Sequence, residues 1–141
     1  MANHKIYSII VSDVCNLRCV YCYASSLPPK TLGIKNAKKI VNFIVKDIRL
    51  NKITNPQIIF ESKEPLLNFP VLKYIITALK KRLKHVHSLP VSVFTNLVAL
   101  RDEMLDYFLK EKIYIHTSLD GLQMQHDKHR GRGSFKKTLN G

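Results

Sequence analysis

Three cysteines, Cys15, Cys19 and Cys22, stand close together in the run CNLRCVYC, and the chain contains no others. An odd cysteine count argues against a disulfide framework, and tight clustering points to metal binding or redox chemistry. Thiolates spaced Cys-x3-Cys-x2-Cys on one loop can converge on the corners of a single iron–sulfur cube. A four-iron cluster ordinarily takes four thiolates. Three leave one iron open to an exogenous chelate, such as an amino acid offering its amine and carboxylate. Two other readings of the same residues stand beside this one. A Cys3His zinc site would use His4 as its fourth ligand, although a strand would separate His4 from the loop. Three inert, packed cysteines are the other, which the polar neighbours Asn16 and Arg18 suit poorly.

Hydrophobic periodicity predicts the elements that would carry this loop. Ile6 to Val11 is a short apolar run rich in β-branched residues, a buried strand. From Asn36, the positions Ala37, Ile40, Val41, Ile44, Val45 and Ile48 mark one face of a helix that ends near Asn51. Gln57 to Glu61 reads as the second strand. A second helix is expected from Pro70 to Lys84, burying Val71, Leu72, Ile75, Ile76, Leu79 and Leu83, with the proline in its first turn. Pro90 to Thr95 is the third strand. Arg101 to Glu111 is the third helix, expected to bury Met104, Leu105, Phe108 and Leu109. Lys112 to Ser118 is the fourth strand, and a polar loop leads to a last helical start around Ser134.

Strands alternating with helices imply a parallel sheet with right-handed crossovers, either a (β/α) barrel or a doubly wound sheet. No Gly-x-Gly-x-x-Gly follows any strand, which weakens the dinucleotide-binding version. In both architectures chemistry gathers beyond the C-terminal ends of the strands. The cysteine loop, Ser62-Lys63-Glu64-Pro65, Thr95-Asn96 and Ser118-Leu119-Asp120-Gly121 follow strands one to four, so four polar clusters are expected on one rim.

With 141 residues, 45% of them hydrophobic, the chain is long enough for one domain with a real core. The opening MANHKIYSIIVSD reads as a first strand and not a signal peptide. No apolar run approaches the roughly 18 residues needed to span a bilayer, so a cytoplasmic protein without membrane attachment is expected. The net charge of +13 would favour nucleic acid or anionic surfaces. The lysines and arginines are spread over several expected helix faces, however, and solvated faces account for them better than a nucleic-acid surface.

The run CNLRCVYCYA resembles the signature of radical SAM enzymes, Cys-x3-Cys-x-aromatic-Cys, with Tyr21 as the aromatic. The segments FESKEPLLN, FTNLVALRDEMLDYFLKEKI and SLDGLQMQHDKHRGRGSFKKTLNG are similar to the peptide- and protein-modifying branch. That branch includes anaerobic sulfatase-maturating enzymes and SPASM-domain peptide maturases. The likeness runs from Tyr7 to Gly141.

The resemblance implies that Cys15, Cys19 and Cys22 ligate a [4Fe-4S] cluster, which binds S-adenosylmethionine and cleaves it reductively to a 5′-deoxyadenosyl radical. The radical would abstract hydrogen from a peptide or protein substrate, after an electron arrives from a donor such as ferredoxin or flavodoxin. Tyr21 would lie against the adenine. Glu64 matches the acid of the family's Gly-Gly-Glu-Pro motif, facing the cofactor's amino group as a charge-assisted partner. Asn96 would line the same rim. Ser118 and Asp120 match positions near the ribose and the substrate cavity, and Arg130 would pair with the cofactor carboxylate. His126 and Asp127 are expected to serve loop structure.

Two substitutions depart from the family pattern. Ser62 and Lys63 stand where the family has paired glycines, and Leu97 follows Asn96 where it has a third. Glycine at such turns permits positive φ and close approach of backbone to ligand, so these side chains should crowd the methionine end of the cofactor. Four β/α units against a six-unit core imply an incomplete parallel barrel, residues 1–141 being the N-terminal part of a radical SAM core domain. An inactive or degenerate family member, and a nucleic-acid-associated iron–sulfur protein, are the alternatives that the glycine losses and the basic charge suggest.

Overall fold

The structure, a computed structural model, describes residues 3–26 and 28–141; Met1 and Ala2 of the opening stretch lie outside them. Its four strands are β1 (His4–Ile9), β2 (Asn55–Phe60), β3 (Val91–Phe94) and β4 (Tyr114–His116). They form one parallel sheet in the order β1-β2-β3-β4. Three helices cross between them: α1 (Ile34–Leu50), α2 (Phe69–Arg82) and α3 (Asp102–Glu111). Beyond β4 come α4 (Gln123–Arg130) and α5 (Ser134–Asn140).

The sequential order decides between the two architectures. Right-handed crossovers that always step in the same direction keep every helix on one face, whereas a doubly wound sheet reverses its order. Tyr7, Ile9, Ile58, Phe60, Val91 and Val93 pack in a single core with the apolar stripes of α1, α2 and α3. On the opposite face Ile6, Ile10, Phe94 and Tyr114 are exposed. A sheet with one packed and one bare face is a partial parallel barrel, its bare side being the interior.

The helical stripes largely match the periodicity. All six expected positions of α2 are buried, and so are those of α1 except the partly buried Ile40. Asp47 ties α1 to β1 by accepting from Lys5 Nζ at 2.7 Å and Tyr7 Oη at 2.5 Å. In α3 the expected face is corrected. Met104, Tyr107 and Phe108 are buried, while Leu105 and Leu109 face solvent. The ring of Phe69 meets Tyr107 and Phe108 edge-on at 5.7 and 5.8 Å. The Tyr107 hydroxyl, which donates to Lys73 O at 3.3 Å and lies 3.1 Å from Thr77 Oγ1, keeps its polar end satisfied.

Strand limits also differ. β1 stops at Ile9 and not Val11, because the chain turns away to join Ser12 to Thr31 in an isolated antiparallel bridge. β4 is ladder-paired only over Tyr114–His116. The segment read as a polar loop contains α4, and His126 and Asp127 lie on that helix. His126 is fully buried with its ring edge-on to Phe135 at 5.5 Å, and Asp127 accepts from Gly133 N and Phe135 N at 2.9 Å each.

Candidate functional site

The cysteine loop leaves the C-terminal end of β1 through a stitched neck. Asp13 N donates to Lys30 O at 2.7 Å and Leu32 N to Val11 O at 2.9 Å. The Asn68 amide, from the turn before α2, donates to Val11 O and Leu32 O at 2.7 and 3.0 Å. Within the loop, Cys22 N donates to Cys19 O and Ser25 N to Cys22 O, both at 3.1 Å, making successive tight turns. Such turns bring side chains close in sequence to the same side. Cys15, Cys19 and Cys22 are free, half-buried thiols, and all three line one cavity of about 180 Å3.

The rest of that cavity comes from each of the other strand ends. Ser62 and Lys63 follow β2, Thr95 and Asn96 follow β3, Ser118 follows β4, and Arg130 reaches in from α4. The four polar clusters therefore share one rim. A second cavity of about 360 Å3 shares Cys15, Leu17, Cys19, Cys22 and Lys63 with the first. Phe94 and His116, stacked at 4.5 Å, also line the first cavity. Sequence reasoning missed them. Their signal is positional, since both end a strand on its bare face.

Glu64, the residue expected to face a cofactor amino group, sits beneath the rim. It is completely buried and does not line the cavity. One carboxylate oxygen accepts from Leu66 N at 3.0 Å and Thr95 Oγ1 at 2.7 Å, the other from Asn96 N at 2.9 Å. Burial nevertheless pushes its pKa up, against the effect of these three donors. In this structure Glu64 faces the protein and locks the end of β2 to the end of β3. Asn96 uses that anchorage: its side-chain amide donates to Asn16 Oδ1 at 2.8 Å and lies 3.6 Å from Cys15 Sγ.

Leu97, in place of the family's glycine, has φ of +63°. The backbone thus keeps the left-handed turn that glycine would adopt freely. It is held there by Leu97 N donating to Thr95 Oγ1 at 3.1 Å and by Thr138 Oγ1 donating to Asn96 O at 3.0 Å. A left-handed conformation costs a Cβ-bearing residue about 1–2 kcal/mol. Leu97→Gly is accordingly expected to stabilise the chain by about 1 kcal/mol in urea denaturation; a loss of stability would show that the leucine side chain contributes more than its backbone costs.

Tyr21, Asp120 and Arg130 form a cluster that meets the cavity through Arg130 alone. Asp120 accepts from Tyr21 Oη at 2.6 Å and from Arg130 Nη2 at 2.9 Å. The Arg130 hydrogen bond, foremost, holds the Asp120 carboxyl down at about 2. Partial burial and then Asp120 raise the Tyr21 phenol to about 12. Neither Tyr21 nor Asp120 itself lines the cavity. Burial pushes the Cys15 and Cys19 thiols up, and the Arg130 charge opposes this at Cys19. A metal bound there would have to displace protons from these thiols.

The alternative readings of the cysteines do not survive the geometry. His4 begins β1 at the end of the sheet opposite the cysteine loop, a strand length or about 17–20 Å away. Half-exposed cavity-lining thiols are not inert core cysteines either. Among the described residues no three His, Cys, Asp or Glu side chains are gathered to hold a single metal ion. A cube that takes each thiolate on a separate iron demands no such close approach. Two of the cavity-lining residues also carry buried unsatisfied atoms. Among the described residues, the buried side-chain polar atoms with no partner are Ser62 Oγ, Arg130 Nε and His126 Nε2, and the first two residues line the cavity. Free thiols beside unpaired polar atoms are what a polar ligand on a cluster would need.

A family model described as the radical SAM superfamily matches residues 9–141. The chain belongs to the radical SAM superfamily. It is 30% identical over 143 residues to a serine-type anaerobic sulfatase-maturating enzyme of Bacteroides thetaiotaomicron, covering 93% of this chain and 34% of that protein. It is 27% identical over 114 residues to an uncharacterized protein of Methanocaldococcus jannaschii, covering 81% of this chain and 38% of the other. With the sporulation killing factor maturation protein SkfB of Bacillus subtilis it shares 25% over 132 residues, covering 92% of this chain and 30% of that one. The solved structure of native anSMEcpe with bound AdoMet and the Kp18Cys peptide superposes with a TM-score of 0.81 at 19% identity, covering 96% of this chain and 39% of that chain. The fold of this radical SAM chain is thus that of the matched part of the anSMEcpe structure. It spans between 30% and 38% of the length of the three curated relatives described. Among the described residues no helix is long and apolar enough to cross a membrane.

Proposed function

We propose that this chain holds a [4Fe-4S] cluster on Cys15, Cys19 and Cys22 and binds S-adenosylmethionine beside it, as the core of an enzyme that modifies a peptide or protein. The observation that carries this reading is the convergence of three free thiols on one cavity with the unpaired Ser62 Oγ and Arg130 Nε. The names of the relatives, two maturases of sulfatases and of a killing factor among them, support a polypeptide substrate. In this reading residues 1–141 supply four β/α units of the core, and a cytoplasmic ferredoxin or flavodoxin supplies the electron.

When bound, the cluster and S-adenosylmethionine would supply a 5′-deoxyadenosyl radical, chemistry that no side chain can perform. The chain's own residues bind and orient. Arg130 is placed to take the cofactor carboxylate, and Ser62 and Ser118 to donate to its polar groups. Asn96 braces Cys15 by its amide, while Glu64 sets Asn96 by its backbone. Tyr21 offers the adenine a half-exposed ring beside the cavity-lining Arg130. Anaerobic reconstitution tests the whole reading. Four irons with matching sulfide per chain, and 5′-deoxyadenosine formed after reduction with S-adenosylmethionine, are expected; a chain that takes up no iron would end it.

A second reading, a chain that holds a cluster but binds S-adenosylmethionine poorly, is favoured by one observation. Ser62 and Lys63 project into a cavity of only about 180 Å3, below the roughly 300 Å3 at which small-molecule sites begin. Equilibrium binding of S-adenosylmethionine to the reconstituted chain separates the two. Under this second reading, a double replacement of Ser62 and Lys63 by glycine tightens that binding.

A further inference from the structure

We propose that Asp120 is a positioning residue that closes the cysteine loop against the fourth β/α unit, with Tyr21 as the point at which it grips the loop. The proposal concerns contacts within the chain and is tested without a cluster, so it stands or falls separately from the proposed function.

Tyr21 lies between Cys19 and Cys22, and its hydroxyl donates to Asp120 Oδ2 at 2.6 Å. Next to it, Val20 N donates to His129 O at 2.8 Å. The half of the loop that carries Cys19 and Cys22 is thereby fixed to residues 120–130. Cys15 is held differently: its sulfur lies 3.6 Å from the Asn96 amide nitrogen and accepts from Leu17 N at 3.4 Å. Two separate devices therefore position the three thiols, one from β3 and one from the segment beyond β4.

Asp120 itself is firmly held. Arg130 Nη2 donates to its other oxygen at 2.9 Å, with side-chain exposures of 14% and 18%, low enough that water screens the pair weakly. Its backbone N–H donates to the buried His126 Nδ1 at 3.3 Å. The Arg130 guanidinium also stands 5.7 Å from the centroid of the Tyr21 ring, a cation–π arrangement that presses the loop toward α4. Tyr21 remains 54% exposed. Its hydroxyl had water available as a partner, so burial does not force this bond. What the bond fixes is the location of the loop.

The test is site-resolved alkylation of the metal-free full chain by N-ethylmaleimide, read by mass spectrometry. Tyr21→Phe alters no charge, so its effect is geometric. It is expected to raise the rates at Cys19 and Cys22 roughly 3–10-fold, the equivalent of one hydrogen bond, and to leave Cys15 within about two-fold. Asp120→Ala should produce the same pattern, and the double variant no more than Asp120→Ala alone, because both remove one coupled contact. A uniform rise at all three cysteines, no rise in Tyr21→Phe, or additive effects in the double variant would each overturn the proposal. Should Asp120→Ala fail to fold, Tyr21→Phe alone still decides by its pattern across the three thiols.

Discussion

Replacing Glu64 by alanine is expected to destabilise the chain by roughly 3–5 kcal/mol, a large part of the stability of a domain this size. The carboxylate is fully buried and accepts three hydrogen bonds, from Leu66 N, Thr95 Oγ1 and Asn96 N. Alanine leaves those three donors without partners in a place water does not reach, at about 1–3 kcal/mol each before relaxation. Glu64→Gln keeps the volume and one acceptor but turns an amide N–H toward a donor. It should cost less, about 1–3 kcal/mol. Chemical denaturation of the metal-free chain checks both. A pH series adds a signed test. The folded-state pKa of Glu64 is raised, by burial first, so the folded chain binds the proton more tightly than the unfolded one. The associated stability is full below the ordinary carboxylate pKa and is lost as pH rises through the raised folded value. The stability gap between the native chain and Glu64→Gln should therefore narrow as pH rises across that window. A gap that widens would mean that the three donors prevail over burial.

Replacing any one of Cys15, Cys19 or Cys22 by alanine is expected to have the opposite profile, with cluster uptake lost and folding stability nearly intact. Each thiol is only half-buried and sits on a loop, and none belongs to the apolar core. The contacts of Cys15 are long, at 3.4 to 3.9 Å. Unfolding free energies should stay within about 0.5 kcal/mol of the native chain, the usual range for substitutions away from packed features. Iron and sulfide after anaerobic reconstitution should fall from a full cluster to near background in all three variants, because two thiolates on so short a loop cannot retain a cube that needs three. A variant that keeps its full iron content would remove that cysteine from the ligand set.

Much of this contrast could be read from the amino acids alone. The cysteine spacing and its place after a first strand were explicit, and the stripes of α1 and α2 follow the helical period closely enough to name nearly every core position. Reading stopped where the determining contact is distant or polar. In α3 the choice between Tyr107 and Leu109 depends on Phe69, which meets Tyr107 from another helix. α4, the segment QMQHDKHR, carries one buried residue, His126, and so offers no apolar stripe to detect. Glu64 looked like a cofactor ligand because a carboxylate in a rim motif is chemically suited to an ammonium. That its oxygens accept instead from Thr95 and Asn96, 31 and 32 residues away, is a tertiary fact. Leu97, expected to crowd the cofactor, does not line the cavity. A family glycine permits positive φ, and the structure shows that the leucine standing there has it too, which no local pattern in the sequence could say.

The bond between Tyr21 and Asp120 joins residues 99 positions apart. On a ribosome adding about 5–20 residues each second, that separation is on the order of 5–20 s of synthesis. Throughout that interval the cysteines are already made while the residues that fasten their loop are not. The thiols therefore emerge into a period when iron and sulfide can reach them from several directions, before the later-made segment fixes their loop in place. Delivery of the cluster during translation would meet an unfastened loop, whereas delivery to the finished chain would meet half-exposed thiols on a loop already fixed in place. A pulse of iron–sulfur donor applied before and after chain completion would reveal the two loading rates.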